Sequence, residues 1–315
     1  MRAIPAILVG LGTVGSAFAR AILDQQERLQ RNGMHLVGVA DTSGWFAVTD
    51  LEAVLQRKAT GQPLSATPWS WGDDAGVLVD ASVGDQGTMW RACLNRGWSI
   101  VSANKSPVAD PNQDWRDPWL AERLWLGGTV GAGVPSASVL RQLLRAGDDV
   151  RMIRGVVSGT LSTVLGDVQD GMPLSQSIEQ ARLAGITEPD PSKDLSGLDV
   201  ARKLTILGKL AGLWSHPPVV DVQPLTLAAV QKGLGQPGRL EYVGTASPDG
   251  VQCRLRCIGP DDPLGRLTAK DNAVCFHTDR FSETPLTLFG PSRGPSVTAK
   301  TLLADVLAAA VRLRR

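Results

Sequence analysis

The chain has 315 residues, 43% of them hydrophobic, and a formal net charge of +1. That is long enough for two domains with separate cores, and near-neutral charge argues against a nucleic-acid surface or an acidic interaction tail. No apolar run approaches the roughly 20 residues needed to cross a bilayer, and the first residues lead straight into a strand and a glycine turn rather than a signal peptide, so a cytoplasmic protein with no membrane partner is expected.

The first expected element is a strand over residues 3–9, followed by Gly10-Leu11-Gly12-Thr13-Val14-Gly15 and an amphipathic helix through Phe18, Ala21, Ile22 and Leu29. A G-x-G-x-x-G between strand and helix is the context in which that motif signifies a dinucleotide site. Gly10 allows the tight turn, Gly12 lets a pyrophosphate approach the backbone, and Gly15 lets the helix pack closely. The phosphates would sit on the N–H groups at the helix start, those of Thr13 and Val14.

A second strand, residues 35–41, ends at Asp41. An acid there can accept hydrogen bonds from the adenosine ribose, which favours NAD; alternatively it caps the turn Thr42-Ser43-Gly44. The next helix, 50–60, carries Arg57 and Lys58, either of which could reach a 2′-phosphate, so NAD and NADP both stay open. The apolar run 76–82 reads as a strand buried on both faces and ends at Ser82, on the carboxyl edge where open α/β sheets bind ligands. Helix 87–97 and strand 98–104 follow, and Lys105 stands just beyond that strand, either as a solvated loop charge or facing the nicotinamide.

Gly127, Gly128, Gly131 and Gly133 form a loop that could turn carbonyls towards an alkali cation, let a cofactor ring lie flat, or act as a hinge. A strand over 150–157 leads to a helix start at Thr160, which is a plain cap or a donor to a ligand carboxylate. The segment Gly185–Gly212 carries Glu188, Asp194, Asp199 and Lys203. Pro189 and Pro191 stiffen its start, Ser192 is placed to cap a helix, and Leu195, Leu198, Leu204, Leu207 and Leu210 recur at helical spacing. Asp199 and Lys203 share a helix face; as a surface ion pair they would contribute only about 0.2–0.5 kcal/mol. Strands are expected at 239–247, 251–259, 272–280 and 284–290, giving an α+β block, and a helix closes the chain. Cys93, Cys253, Cys257 and Cys275 lack zinc-ligand spacing and read as buried or idle thiols.

The order of these motifs resembles homoserine dehydrogenase over nearly the whole chain: VGLGTVGSAFAR near the start, SANKSPVA at 102–109, TVGAGVP at 129–135, GVVSGTLSTVL at 155–165 and, most specific, GITEPDPSKDLSGLDVARKLTIL at 185–207. The resemblance is to the short form without a regulatory domain, so feedback through such a domain is not expected. It implies an α/β fold: a Rossmann-type doubly wound parallel sheet over residues 1–133, completed by a C-terminal helix at 295–315, and an α+β catalytic and dimerisation domain over 134–294. It implies interconversion of L-homoserine and L-aspartate 4-semialdehyde with NAD or NADP, a step in threonine and methionine biosynthesis, in a homodimer. Lys105 and Lys203 would then be catalytic. Glu188 and Asp199 would bind the amino-acid substrate, Asp194 would support its amino group, and Thr160 would contribute to the same site. Gly10, Gly12, Thr13, Val14, Gly15, Asp41, Ser82, Lys105 and Gly290 would hold the cofactor, and the carbonyls of Val130, Ala132 and Val134 would bind a sodium or potassium ion. Two departures stand out. Gly127 replaces a usual glutamate, removing one cation ligand, and the late glycine turn reads Gly290-Pro291-Ser292-Arg293-Gly294. The rival readings are a related dehydrogenase of another small amino acid or aldehyde, and a cofactor-binding sensor without catalysis.

Overall fold

The computed structural model describes residues 3–64, 74–131, 133–187, 190–267, 271–291 and 294–314. The chain forms two compact units, Met1–Gly133 with Gly294–Arg315, and Val134–Arg293.

The first unit is built on strands β1 (Ile4–Val9), β2 (Met34–Asp41), β3 (Gly44–Ala47), β4 (Val77–Asp80), β5 (Ser99–Ser102) and β6 (Leu124–Trp125), in the order β3-β2-β1-β4-β5-β6. All neighbours are parallel except the β2–β3 hairpin. Continuous apolar runs explain the buried centre: Ile7, Leu8, Val77, Leu78, Val79, Ile100 and Val101 are all inaccessible or nearly so, as strands covered on both faces must be. Strand order reverses at β1, with β2 on one side and β4 on the other, so Gly10 leaves the sheet at the topological switch point. Helix Thr13–Asp24 and the C-terminal helix Pro295–Leu313 share a core through Phe18, Ile22, Leu302, Leu303 and Val306.

The second unit contains β7 (Val150–Val156), β8 (Val220–Val222), β9 (Arg239–Ser247), β10 (Gly250–Ile258), β11 (Asp271–Thr278) and β12 (Leu286–Pro291), ordered β12-β11-β7-β9-β10-β8. Here all pairs are antiparallel except β8–β10. Helix Leu198–Ala211 lies so close to this sheet that a Cβ on Gly244 would come within 2.7 Å of Leu204 Cδ2. The two mixed six-stranded sheets with their helices make an α/β protein, as the motif order implies.

Cys93, Cys253 and Cys275 are buried and Cys257 is partly so, and none is in a disulfide. Burial pushes the Cys93 and Cys253 thiols up to about 12 and raises Cys275 as well. A thiol reagent is therefore expected to label at most one cysteine in the folded protein and all four after denaturation; rapid native labelling of Cys93 would contradict its placement. Tryptophans fill space here. Trp90, Trp98 and Trp119 are among the largest fully buried side chains, and Trp115 meets Trp90 edge-on with ring centroids 5.3 Å apart. Among the described residues no helix is long and apolar enough to cross a membrane.

Candidate active site

The glycine turn follows directly from sterics. Gly10 has φ +95°, and a Cβ there would sit 2.6 Å from the Ser82 amide nitrogen. A Cβ on Gly15 would lie 1.8 Å from the Gly10 carbonyl oxygen, so the helix can start this close to β1 only with glycine. At Gly12 a Cβ would meet no protein atom within 4 Å. That open space lies over a helix start, Thr13, that no side chain caps. Uncapped first-turn N–H groups beside a side-chain-free approach are what a pyrophosphate requires, so the residues fit a dinucleotide. A cleft of about 450 Å³ adjoins them, lined by Gly10, Gly12, Asp41, Lys58, Ser82 and Gln86 among others.

Asp41 does cap its turn: its Oδ1 accepts from the Ser43 amide at 2.8 Å and the Ser43 hydroxyl at 2.5 Å. Its Oδ2 accepts from Lys58 Nζ at 2.6 Å. Burial alone would raise the Asp41 pKa, but the bonds from Lys58 and Ser43 outweigh it and hold the carboxyl below its usual value. The turn and ligand readings of Asp41 are therefore compatible, since the carboxylate that caps the turn also lines the cleft.

Lys105 is partly buried, at the start of a short helix, Ser106–Ala109. Its neighbour Asn104 is 3% exposed and tied into a buried network centred on Asp80, which is inaccessible at the end of β4. Sequence reading passed over Asp80 as one residue of an apolar run. An acid inside a strand otherwise covered on both faces was the signal that could have marked it.

In the second unit, Lys203 Nζ donates to the Val157 carbonyl at 2.7 Å and pairs with Asp199 Oδ2 at 2.8 Å. The Lys203 side chain is 16% exposed and that of Asp199 45%, so the pair is not an ordinary solvated one: the ammonium end is held between the helix and the end of β7. Ser192 does not cap that helix. A short helix, Ser192–Leu195, precedes it, Gly197 breaks the chain at φ +75°, and the main helix starts at Leu198 with no side-chain cap. The break is steric, because a Cβ on Gly197 would fall 1.9 Å from the Tyr242 hydroxyl. Leu198, counted on the apolar stripe, is exposed in consequence. Asp194 is partly buried in the short helix, and Glu188 lies outside the described residues. Thr160 is not the cap of its helix: Ser158 accepts from the Leu161 amide, while the Thr160 hydroxyl donates to the Ile186 carbonyl at 3.0 Å. Gly290 lies in β12 beside Val134, and Ser292 and Arg293 fall outside the described residues.

Val130 and Val134 are buried, and Ala132 between them is not among the described residues. The Val134 carbonyl accepts from the Ser136 amide at 2.7 Å. Any side chain at position 127 would have to displace Asp305: a Cβ there would come within 2.6 Å of Asp305 Oδ2, which accepts from the Gly127 amide at 2.9 Å. Among the described residues no group of three or more His, Cys, Asp or Glu side chains is placed to hold a metal ion. Gly127→Ala is expected to destabilise by about 1–3 kcal/mol, as overpacked sites do, read as a lower denaturation midpoint; an unchanged midpoint would show that Asp305 gives way freely.

Comparison with known proteins agrees with this geometry. The family model described as homoserine dehydrogenase matches residues 135–307, and that described as the NAD-binding domain of homoserine dehydrogenase matches residues 10–116. A maize chloroplastic bifunctional aspartokinase/homoserine dehydrogenase is 30% identical over 95% of this chain, which spans 38% of that longer protein. The homoserine dehydrogenase of Emericella nidulans is 29% identical, with 97% of this chain and 98% of that protein covered. Among solved structures, a hyperthermophilic archaeal homoserine dehydrogenase in complex with NADPH superposes with a TM-score of 0.79 at 25% identity, covering 99% of this chain and 98% of that one. The chain belongs to the homoserine dehydrogenase family of NAD(P)-dependent oxidoreductases.

Proposed function

We propose that this protein interconverts L-homoserine and L-aspartate 4-semialdehyde, taking NAD or NADP in the first unit and the amino acid in the second, as a cytoplasmic homodimer serving threonine and methionine biosynthesis. The observation that carries the chemistry is the Lys203 ammonium, held by Asp199 and the Val157 carbonyl from the second turn of the helix Leu198–Ala211.

When bound, the nicotinamide supplies or accepts the hydride. The residues of the chain manage charge and protons around it. As an aldehyde is reduced its oxygen becomes alkoxide-like, and a positioned acid lowers that barrier. Lys203 spends two of its three N–H donors on Val157 and Asp199, which aims the ammonium and leaves a direction for the substrate oxygen. In the oxidising direction the same nitrogen, as the neutral amine, receives the substrate hydroxyl proton and becomes the ammonium. Lys105 is assigned electrostatic stabilisation of the oxyanion. An amino-acid substrate brings an ammonium, which suits the carboxylates Glu188 and Asp194, with Asp199 serving both Lys203 and the substrate. The Thr160 hydroxyl is already used on Ile186, so its proposed share in binding the substrate carboxylate falls to its first-turn amide, which has no partner within the helix. Backbone carbonyls at Val130, Ala132 and Val134 are the proposed cation ligands; without a side-chain carboxylate at 127, turnover is expected to depend little on added sodium or potassium.

The test is a substrate panel. Cofactor reduction with L-homoserine, and not with other small amino acids or hydroxy acids, supports the assignment. Reduction with a different amino acid moves the protein to a related dehydrogenase. Cofactor binding without turnover of any substrate supports a sensor.

A further inference from the structure

Asp80 is a fully buried acid of the nucleotide-binding unit that accepts four hydrogen bonds, and nothing in the proposed chemistry uses it directly. One carboxylate oxygen accepts from the Ser82 amide at 2.9 Å and the Ser82 hydroxyl at 2.6 Å. The other accepts from the Trp90 indole at 2.9 Å and the Asn104 carboxamide at 3.2 Å. All four partners donate, which suits a carboxylate acceptor, and the residue is fully inaccessible. A buried carboxylate costs several kcal/mol of desolvation, so its bonds must return a comparable amount or serve placement.

What they place is informative. Ser82 lines the nucleotide cleft. Asn104 immediately precedes Lys105, and the Asn104 carboxamide also donates to the Gly84 carbonyl at 2.9 Å and accepts from the Ser106 amide at 3.0 Å. The Asn104 amide donates to the Ser102 hydroxyl at 2.9 Å, and that hydroxyl donates in turn to the Asp80 carbonyl at 3.3 Å. The residues on both sides of Lys105 are thus pinned, directly or through Asn104, to one buried acid at the end of the preceding strand, β4, which pairs with β5 in the sheet. The same acid fixes the cleft residue Ser82.

We infer that Asp80 is the positioning residue of the nucleotide-binding unit: it holds Asn104, and through it the Lys105 backbone, in register with the Ser82 edge of the cofactor cleft. It never touches substrate and acts through Lys105. The inference rests on the proposed oxyanion role of Lys105. A displacement of about 1 Å at a reacting centre can cost about a hundredfold in rate, so a residue that fixes this loop matters to turnover without contacting the chemistry.

The experiment is a cycle of Asp80→Asn, Lys105→Ala and the double variant, assayed for kcat, KM for L-homoserine, cofactor dissociation constant and thermal midpoint. D80N keeps the shape but presents an NH₂ where only donors face it. It is expected to lower kcat by about tenfold or more, weaken cofactor binding a few-fold through Ser82, and alter the Trp90 fluorescence. If Asp80 acts through Lys105, the double variant turns over no more slowly than K105A alone. Additive losses, or a D80N enzyme with normal kcat per folded molecule, would overturn the inference. Near-normal K105A turnover would instead remove the Lys105 role, and with it this reading, a result distinguishable from D80N failing beside an impaired K105A. Should D80N not fold, Asn104→Ala breaks the same chain one link later and carries the same cycle, leaving the Asp80 bonds to Ser82 and Trp90 in place.

Discussion

Lys203→Ala is expected to lower kcat for L-homoserine oxidation by about 10²–10⁴-fold, the usual contribution of a positioned acid or base. The KM for L-homoserine should move far less, because the substrate ammonium and carboxylate are assigned to other groups. The thermal midpoint of K203A separates this effect from loss of folding, because removing the largely buried Lys203 also takes the donor from the Val157 carbonyl. Lys203→Arg is the sharper variant. Arginine keeps the positive charge and can still face Asp199 and the Val157 carbonyl, but it does not give up a proton at accessible pH. If Lys203 cycles a proton, K203R should be nearly as slow as K203A. If it only supplies charge, K203R should retain most of the rate. Turnover of K203A close to that of the unaltered enzyme, with cofactor bound, would remove Lys203 from the mechanism.

The second large effect concerns the cofactor. Lys58→Ala is expected to weaken NADP(H) binding about tenfold while changing NAD(H) binding much less. A charge-assisted hydrogen bond is worth about 1.5–3 kcal/mol, and the lower end applies because the Lys58 side chain is 40% exposed. Lys58 lines the cleft with its ammonium on Asp41, where an adenosine 2′-phosphate would lie. With the lysine present, the phosphate meets a cation that also neutralises Asp41. Without it, the phosphate meets the carboxylate alone. The Asp41 pKa is held below its ordinary value, so the carboxylate's pairing is present above the normal carboxylate range and is lost only as pH falls through the lowered value. Asp41 therefore adds no pH dependence of its own to the ratio of NADP(H) to NAD(H) affinity between neutral and mildly acidic pH. The group that titrates there is the 2′-phosphate, with a second ionisation at about 6. Fluorescence titration of both reduced cofactors against K58A reads this directly; equal losses for the two would confine Lys58 to shaping the Asp41 turn.

Much of this was legible before any coordinates. The glycine turn announces itself because only glycine satisfies three different steric demands within six residues, and buried parallel strands leave short apolar stretches at 77–79 and 100–101. The pairing of Asp199 with Lys203 follows from helical spacing. Its burial against the Val157 carbonyl does not, since a contact 46 residues apart has no local signature. Other features were hidden for similar reasons. Strands β3, β6 and β8 have only two to four residues, too few to show a period. The helix break at Gly197 depends on Tyr242, which arrives from β9. In the sequence Asp80 is one unmarked residue of the apolar run 76–82; its role depends on four donors, from Ser82, Trp90 and Asn104, that only the fold brings around it. The fit of Gly127 depends on Asp305, 178 residues away in the C-terminal helix.

Product identification in the reducing direction tests the central claim most directly. The purified protein is incubated with L-aspartate 4-semialdehyde and NADPH or NADH, and the amino acids are separated and quantified. The account predicts L-homoserine appearing in equal amount to the cofactor oxidised, with the signal abolished or strongly reduced in K203A. Cofactor oxidation without L-homoserine, or no oxidation by a protein that binds the cofactor, would contradict it.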